Sequence, residues 1–396
     1  MKKKTVQDIE VKGKKVLVRV DFNVPLDVNT GAISNDSRIQ ASLPTIKYLV
    51  DHRAKIILCS HLGRPKGTIV EELRMAPIAQ RLSQLIGLPV SEAQDCVGQE
   101  VEGKIKMLKE GNILFLENVR FHWEEEANDP HFAQELAKLA DIYVNDAFSA
   151  AHRAHASTVG VAKCLPTVAG FLMEKELEAM GRLLNTPKRP FACVVGGAKV
   201  SDKIGLIQNM LKKVDFLLVG GGMAATFLKA QGYEVGHSLV EKDKLSLAQD
   251  LLQEAEEWNV PLLLPTDVLV AEEIKAGAKT LVVPTTDIPL NSNIVDIGPQ
   301  TIELFCTKLR KCHTIMWNGP LGIYEIPQFA QGTRSMANFL STINATTVIG
   351  GGSSAEIVQE MDLAGKMTHV STGGGASLRF LEGTALPGVE VLPDKE

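Results

Sequence analysis

Short apolar runs that stop abruptly at polar or glycine-rich turns constrain this chain more than any other feature. In the first half, residues 15–21 (KVLVRVD), 55–59 (KIILC), 112–117 (NILFLE) and 141–145 (DIYVN) read as buried strands. Between them, residues 43–51, 74–86 and 132–139 carry apolar positions at helical spacing. The second half repeats the pattern, with strands at 191–195, 214–219, 313–317, 346–349 and 367–371. Strands alternating with helices predict an α/β fold with mainly parallel sheets. At 396 residues the chain exceeds one typical domain of roughly 100–200 residues, so two domains are expected.

The turns at the strand ends differ between the halves. In the first, the strands lead to Asp21, Asn23 and Arg38, to Ser60, His61 and Arg64, to Asn118 and Arg120, and to Asp146, His152, Arg153 and His155. Ligands of open parallel sheets bind beyond the carboxyl ends of the strands. Arg38, Arg64, Arg120 and Arg153 gathered there would hold a small, multiply charged anion, because guanidinium pairs bidentately with carboxylate or phosphate. A single arginine at such a place is an ordinary surface residue; four after strand ends favour the functional reading. His61 either hydrogen-bonds a ligand or braces its turn. No His/Cys cluster in the sequence suggests zinc.

In the second half, glycine stands where arginine stood. The turns are Gly196–Gly197, Gly220 to Gly222, Gly319 to Gly322, Gly350 to Gly352 and Gly373 to Gly375. Glycine merely permits a tight turn in most proteins. Five such turns after strands instead suggest bare N–H groups cradling a nucleotide's phosphates. Residues 194–205 (VVGGAKVSDKIG) add Lys199 and Lys203, which share a helix face if the turn opens a helix there; an ordinary strand–turn–helix corner is the alternative. Gly220-x-Gly222-x-x-Ala225 and Gly350-x-Gly352-x-x-Ala355 both fit the dinucleotide fingerprint, and neither has a clear acidic partner at a following strand end. A Walker A loop, protein-kinase signatures and a serine nucleophile elbow are absent. An arginine-rich half and a glycine-rich half with two lysines make an inventory for phosphoryl transfer, where protein mainly positions and neutralises charge.

Composition narrows the partners. A net charge of −5 with 22% charged residues gives no general attraction to nucleic acid or membrane, so any anion site must be made locally. No apolar run approaches the roughly 18 residues of a membrane helix. The start MKKKTVQDIE has the charge of a signal peptide without its apolar core, and Lys2 to Lys4 read as a solvated terminus. Six cysteines without close metal-like pairs fit reduced thiols in a cytoplasmic setting.

Eight longer stretches go beyond these patterns. They are RVDFNVP (Arg19 to Pro25), SHLGRP (Ser60 to Pro65), LENVRF (Leu116 to Phe121), NDAFSAAHRAHAS (Asn145 to Ser157), GGAKVSDKI (Gly196 to Ile204), VGGGMA (Val219 to Ala224), WNGPLGIYE (Trp317 to Glu325) and STGGGA (Ser371 to Ala376). By these the chain closely resembles the phosphoglycerate kinase family over essentially its whole length. The resemblance implies two Rossmann-like lobes joined by a helical hinge. Residues 1–166 would bind triose phosphate, 167–186 form a connector helix, 187–380 bind nucleotide, and 381–396 return to the first lobe. It implies reversible, direct in-line phosphoryl transfer after lobe closure, from 1,3-bisphosphoglycerate to ADP, giving 3-phosphoglycerate and ATP with Mg2+. A cytoplasmic monomer is expected.

By the same resemblance, Asp21, Asn23, Arg38, His61, Leu62, Gly63, Arg64, Arg120 and Arg153 hold the triose phosphate. Lys203, Gly221, Gly222, Glu325, Gly351, Gly352, Ser353 and Ser354 hold the nucleotide. Arg38, Lys199, Gly352 and Gly375 surround the phosphoryl group in flight. Two departures stand out. Ser353 replaces the family's usual Asp near the metal, so no metal ligand is assigned. Ile294 replaces a usual glycine before Asp296 to Pro299, which places a side chain where the base would be flanked. A non-catalytic nucleotide-binding relative and a kinase for another small acid are the rival readings. Arg38, Lys199, Lys203 and Glu325 argue against the first, and the four first-half arginines against the second.

Overall fold

The computed structural model describes residues 2–27 and 29–395. The chain divides into two compact units, one running to Glu178 and resumed from Ala385, the other Ala179–Thr384. The division falls inside the helix Phe171–Asn185.

In the first unit, strands β1 (Lys15–Arg19), β2 (Lys55–Cys59), β3 (Val90–Glu92), β4 (Ile113–Phe115), β5 (Ile142–Asn145) and β6 (Thr167–Ala169) form one sheet. Its order is β3-β4-β2-β1-β5-β6 and every pairing is parallel. Side chains alternate across it: Val16, Val18, Ile56 and Leu58 enter one core, while Leu17, Ile57 and Leu114 enter another on the opposite face. Both faces are covered, which is why the strands read as unbroken apolar runs. The helix expected from residue 43 starts at Ser37, so Arg38 lies in its first turn; Pro44 sits inside it, while Ile39, Ile46 and Leu49 anchor it by burial. The segment expected to open the connector begins instead with strand β6, paired to β5 by the burial of Val168.

The C-terminal segment belongs to this unit. Asn145 Nδ2 donates to the Gly388 carbonyl at 3.1 Å, and the Gly388 N–H donates to that of Ala151 at 2.8 Å. Lys3 departs from the solvated terminus expected of it. Its ammonium donates to the Leu392 carbonyl at 2.8 Å and pairs with Asp394 at 2.9 Å, because the two chain ends bridge and cover its stem.

The second unit carries β7 (Phe191–Val195), β8 (Phe216–Val219), β9 (Leu262–Leu263), β10 (Asp267–Ala271), β11 (Thr280–Pro284), β12 (Asn293–Ile297), β13 (Thr314–Asn318), β14 (Thr346–Gly350) and β15 (His369–Val370). Six of them form a parallel sheet ordered β15-β14-β13-β7-β8-β9. Cys193 and Val195 face one core, Ala192 and Val194 the other. A separate antiparallel sheet, β11-β10-β12, is inserted between β9 and β13.

Candidate active site

In the second unit β7, β13 and β14 are sheet neighbours, so the glycine turns that follow them meet at one edge. The Gly196 N–H donates to the Asn318 carbonyl at 2.8 Å, and the Gly197 N–H to that of Pro320 at 2.9 Å. A Cβ on Gly196 would lie 2.1 Å from the Pro320 oxygen, so no larger residue fits there without moving the turns apart. Between them lies a cavity of about 180 Å³, lined by the Gly196–Gly197 turn, Lys199, Lys203, Asn318 and the start of the helix Gly352–Glu360. That helix has no side-chain cap, which leaves its first N–H groups for an anion. Gly351 precedes it at φ +88°, a conformation that favours glycine.

The two lysines reach the cavity by a route other than a shared helix face. The helix begins only at Ile204, with Lys203 as its cap, because Val200 is fully buried and turns the chain, its carbonyl accepting the Lys203 N–H. Lys203 Nζ donates to Asn318 Oδ1, and burial lowers the lysine's pKa. Asn318 is fully buried and its Nδ2 has no hydrogen-bond partner.

In the first unit the residues after β1 and β2 form a charged network. Asp21 Oδ2 accepts hydrogen bonds from Arg38 and from the Ser149 hydroxyl. Burial opposes ionisation of Asp21, yet the guanidiniums of Arg38 and Arg19 and that hydroxyl hold its pKa below the usual carboxylate range. Arg19, 1% exposed, donates from Nε to Ser157 Oγ at 2.8 Å and places Nη2 3.1 Å from His61 Nδ1. Burial, then the guanidiniums of Arg19, Arg120 and Arg38, hold the His61 pKa well below its usual value, although Asp21 lies 3.8 Å away. His61 is therefore a neutral hydrogen-bonding group. Asn23 Oδ1 accepts the Gly63 N–H at 2.8 Å, Arg120 donates to the Gly63 carbonyl at 2.8 Å, and Arg19 and Arg153 lie near enough to repel Arg120. Asp21, the fully buried Glu125, which accepts from the Ser157 hydroxyl, and Glu126, 3.3 Å from Arg120 Nε, offset part of the charge of Arg19, Arg38, Arg120 and Arg153, and the remainder is open to an anion.

The sequence profile described as phosphoglycerate kinase matches residues 6–384. The chain belongs to the phosphoglycerate kinase family. It is 57% identical over 399 residues to the phosphoglycerate kinase of Dictyoglomus turgidum and 56% over 395 to that of Pelotomaculum thermopropionicum, with 100% of each chain covered. Among solved structures, phosphoglycerate kinase from Coxiella burnetii superposes with a TM-score of 0.89 at 41% identity, and that from Pyrococcus horikoshii with 0.86 at 34%. Each covers 98% of both chains.

Of the residues that likeness to phosphoglycerate kinases suggests, Lys199, Lys203, Gly351, Gly352, Ser353 and Ser354 line the cavity, whereas Gly221, Gly222, Glu325 and Gly375 stand outside its lining. Gly221 holds the turns together: at φ +69°, its Cβ would lie 2.7 Å from the Gly197 nitrogen and from the Pro320 oxygen. Glu325 is exposed, and Gly375 opens the helix Gly375–Leu381. Ser354 is buried and its hydroxyl accepts the Gly319 N–H at 2.7 Å, while the half-buried Ser353 hydrogen-bonds the Tyr324 side chain. Ile294 packs among the apolar side chains around Val268 and Ala225. In the first unit Leu62 is buried beneath its turn and Arg64 is exposed. Sequence reasoning passed over Arg19, Ser149 and Asn318 as site residues. An arginine closing an apolar strand was the readable signal for Arg19; Ser149 and Asn318 gave none beyond position.

Proposed function

We propose that this chain catalyses the reversible transfer of a phosphoryl group from 1,3-bisphosphoglycerate to ADP, giving 3-phosphoglycerate and ATP, as a glycolytic enzyme. The observation that carries the reading is a phosphate-sized cradle of glycine N–H groups and two lysines in a member of this family. In this reading the cradle takes the nucleotide phosphates. Lys203, Gly351 to Ser354 and the turns held by Gly221 and Gly222 shape it, while Glu325 meets the nucleotide outside the cavity. Asp21, Asn23, His61, the Leu62–Gly63 turn, Arg64, Arg120 and Arg153 take the triose phosphate. Arg38, Lys199 and the backbone at Gly352 and Gly375 neutralise charge on the transferring group.

The chemistry needs little else. In the reverse direction the attacking group is a carboxylate with an ordinary pKa of roughly 3–4, ionised without a general base. Neutral His61 can therefore serve binding alone. Charge spreads over the phosphoryl oxygens in the transition state, so preorganised cations contribute most of the rate.

The donor set fits Mg2+ that arrives with the nucleotide. Ser353 and the exposed Asp202 are the oxygen groups at the cavity that would hold it, and they are too few to hold a free ion without the nucleotide's phosphates. When bound, the ion offsets phosphate charge. All six cysteines are free thiols, and no helix among the described residues is long and apolar enough to cross a membrane. A monomer acting in the cytoplasm is the setting we infer. A coupled assay of the full chain, supplied with 1,3-bisphosphoglycerate, ADP and Mg2+, should show ATP formation. ADP binding without turnover would reject the reading.

A further inference from the structure

The fold gathers three metal-ligating side chains that the sequence keeps apart. Asp95 and Cys96 lie in the loop after β3, and His122 follows the single turn Val119–Phe121 beyond β4. One ligand atom from each, a carboxylate oxygen, a sulfur and a ring nitrogen, falls within 4.8 Å of the other two. Nothing in phosphoryl transfer uses them, and no cysteine–histidine spacing in the sequence announced them.

Each ligand is already oriented. The His122 ring stacks on Phe132 with centroids 4.8 Å apart. Its Nε2 lies 2.6 Å from Asp95 Oδ1, which also accepts the Cys96 N–H at 2.6 Å. The Cys96 thiol donates to the Glu117 carbonyl at 3.0 Å. Cys96 is fully buried, His122 partly so, and Asp95 exposed, so the cluster is walled on the sulfur side and open to water on the carboxylate side. The Asp95–His122 pair accounts for two members of the cluster, and core packing with the bond to Glu117 accounts for Cys96; what the fold adds is that the three donor atoms share one place. Oxygen, nitrogen and sulfur donors together suit a borderline cation, and three protein ligands with one open position make a tetrahedral zinc shell.

We propose that Asp95, Cys96 and His122 form a binding site for Zn2+ or a similar borderline divalent cation, with water as the fourth ligand. On binding, the metal gains bonds to a carboxylate oxygen, the Cys96 thiolate and His122 Nε2. The thiol proton and the proton between His122 and Asp95 pass to the buffer.

The test uses metal-free full-length protein titrated with Co2+ and read by absorption. A thiolate-to-cobalt charge-transfer band should grow to saturation at one ion per chain, and Zn2+ should abolish it by displacement. Cys96→Ser should remove the band, and His122→Ala should weaken binding by about tenfold or more with an unchanged circular dichroism spectrum. Should Cys96→Ser fail to fold, Asp95→Asn, on the exposed side, supplies the second variant and should also weaken binding. Absence of the band in the wild type, or a band that survives in the variants at wild-type affinity, would overturn the site.

Discussion

In the first unit the candidate anion site is built from side chains fixed by burial, whereas in the second the candidate site is built from backbone. Arg19 and Asp21 are 1% and 6% exposed and are tied to Ser157, His61, Ser149 and Arg38. Gly352, at the wall of the other cavity, is exposed, and a Cβ there would meet nothing within 4 Å. A rigid guanidinium array suits a small acid whose charges sit at fixed separations. A row of N–H groups suits a polyphosphate tail, which offers many equivalent oxygens. On the proposed reading, shape selectivity resides in the first region and tolerance of close approach in the second.

The sharpest way to break that contrast is at the residues assigned to the phosphoryl group itself, one from each region. Arg38→Ala and Lys199→Ala should each lower kcat by about a hundredfold or more in a steady-state assay, as loss of a charge-stabilising donor does. Normal turnover in either variant would remove that residue from the reaction.

A smaller effect tests burial in the first unit. Asp146, at the end of β5, accepts the Leu172 N–H at 2.9 Å, and burial raises its pKa to about 7 despite that bond. Below pH 3.8, its ordinary value, folded and unfolded chains both keep the proton. As pH climbs toward 7 only the unfolded chain releases it, so stability falls across that window and levels off above it. Asp146→Asn keeps the acceptor oxygen and removes the titration. Urea unfolding at pH 4 and pH 7 should show a decline smaller by roughly 3 kcal/mol in the variant than in the wild type. Asp296, likewise raised to about 7 by burial in the second unit, contributes equally to both and cancels in the difference.

The smallest effect separates the two kinds of glycine in the second region. Gly352→Ala should leave the thermal midpoint unchanged and weaken ADP binding about tenfold, because the added methyl takes up space beside the N–H that a phosphate would approach. Gly221→Ala should instead lower stability by about 1–3 kcal/mol, because it combines positive φ with backbone contact. Equal losses of stability in the two variants would erase the distinction.

The parallel sheets were legible because strands buried on both faces leave apolar runs, and the loops at their ends carried the arginines and glycines openly. The antiparallel sheet β11-β10-β12 was not, since β11 (TLVVP) is largely exposed and its short apolar run marks no strand buried on both faces. The spacing of Lys199 and Lys203 suggested a helix that starts at Ile204 instead, because the burial of Val200 outweighs local periodicity. Arg19 is the last residue of β1, and its place in the charged network was hidden because its partners Ser157 and His61 are far away in sequence. Asp95, Cys96 and His122 illustrate the same limit: long-range packing places groups together without leaving a spacing to read.

We propose that each region binds its own substrate. Isothermal titration of the full chain with 3-phosphoglycerate and, separately, with ADP tests it directly. Arg64 is exposed, so its removal leaves the fold intact; Arg64→Ala should weaken 3-phosphoglycerate binding by about tenfold while ADP binds as before. Lys203→Ala should do the reverse. If either substitution weakened both substrates equally, or weakened the wrong one, the division of binding between the two regions would be contradicted.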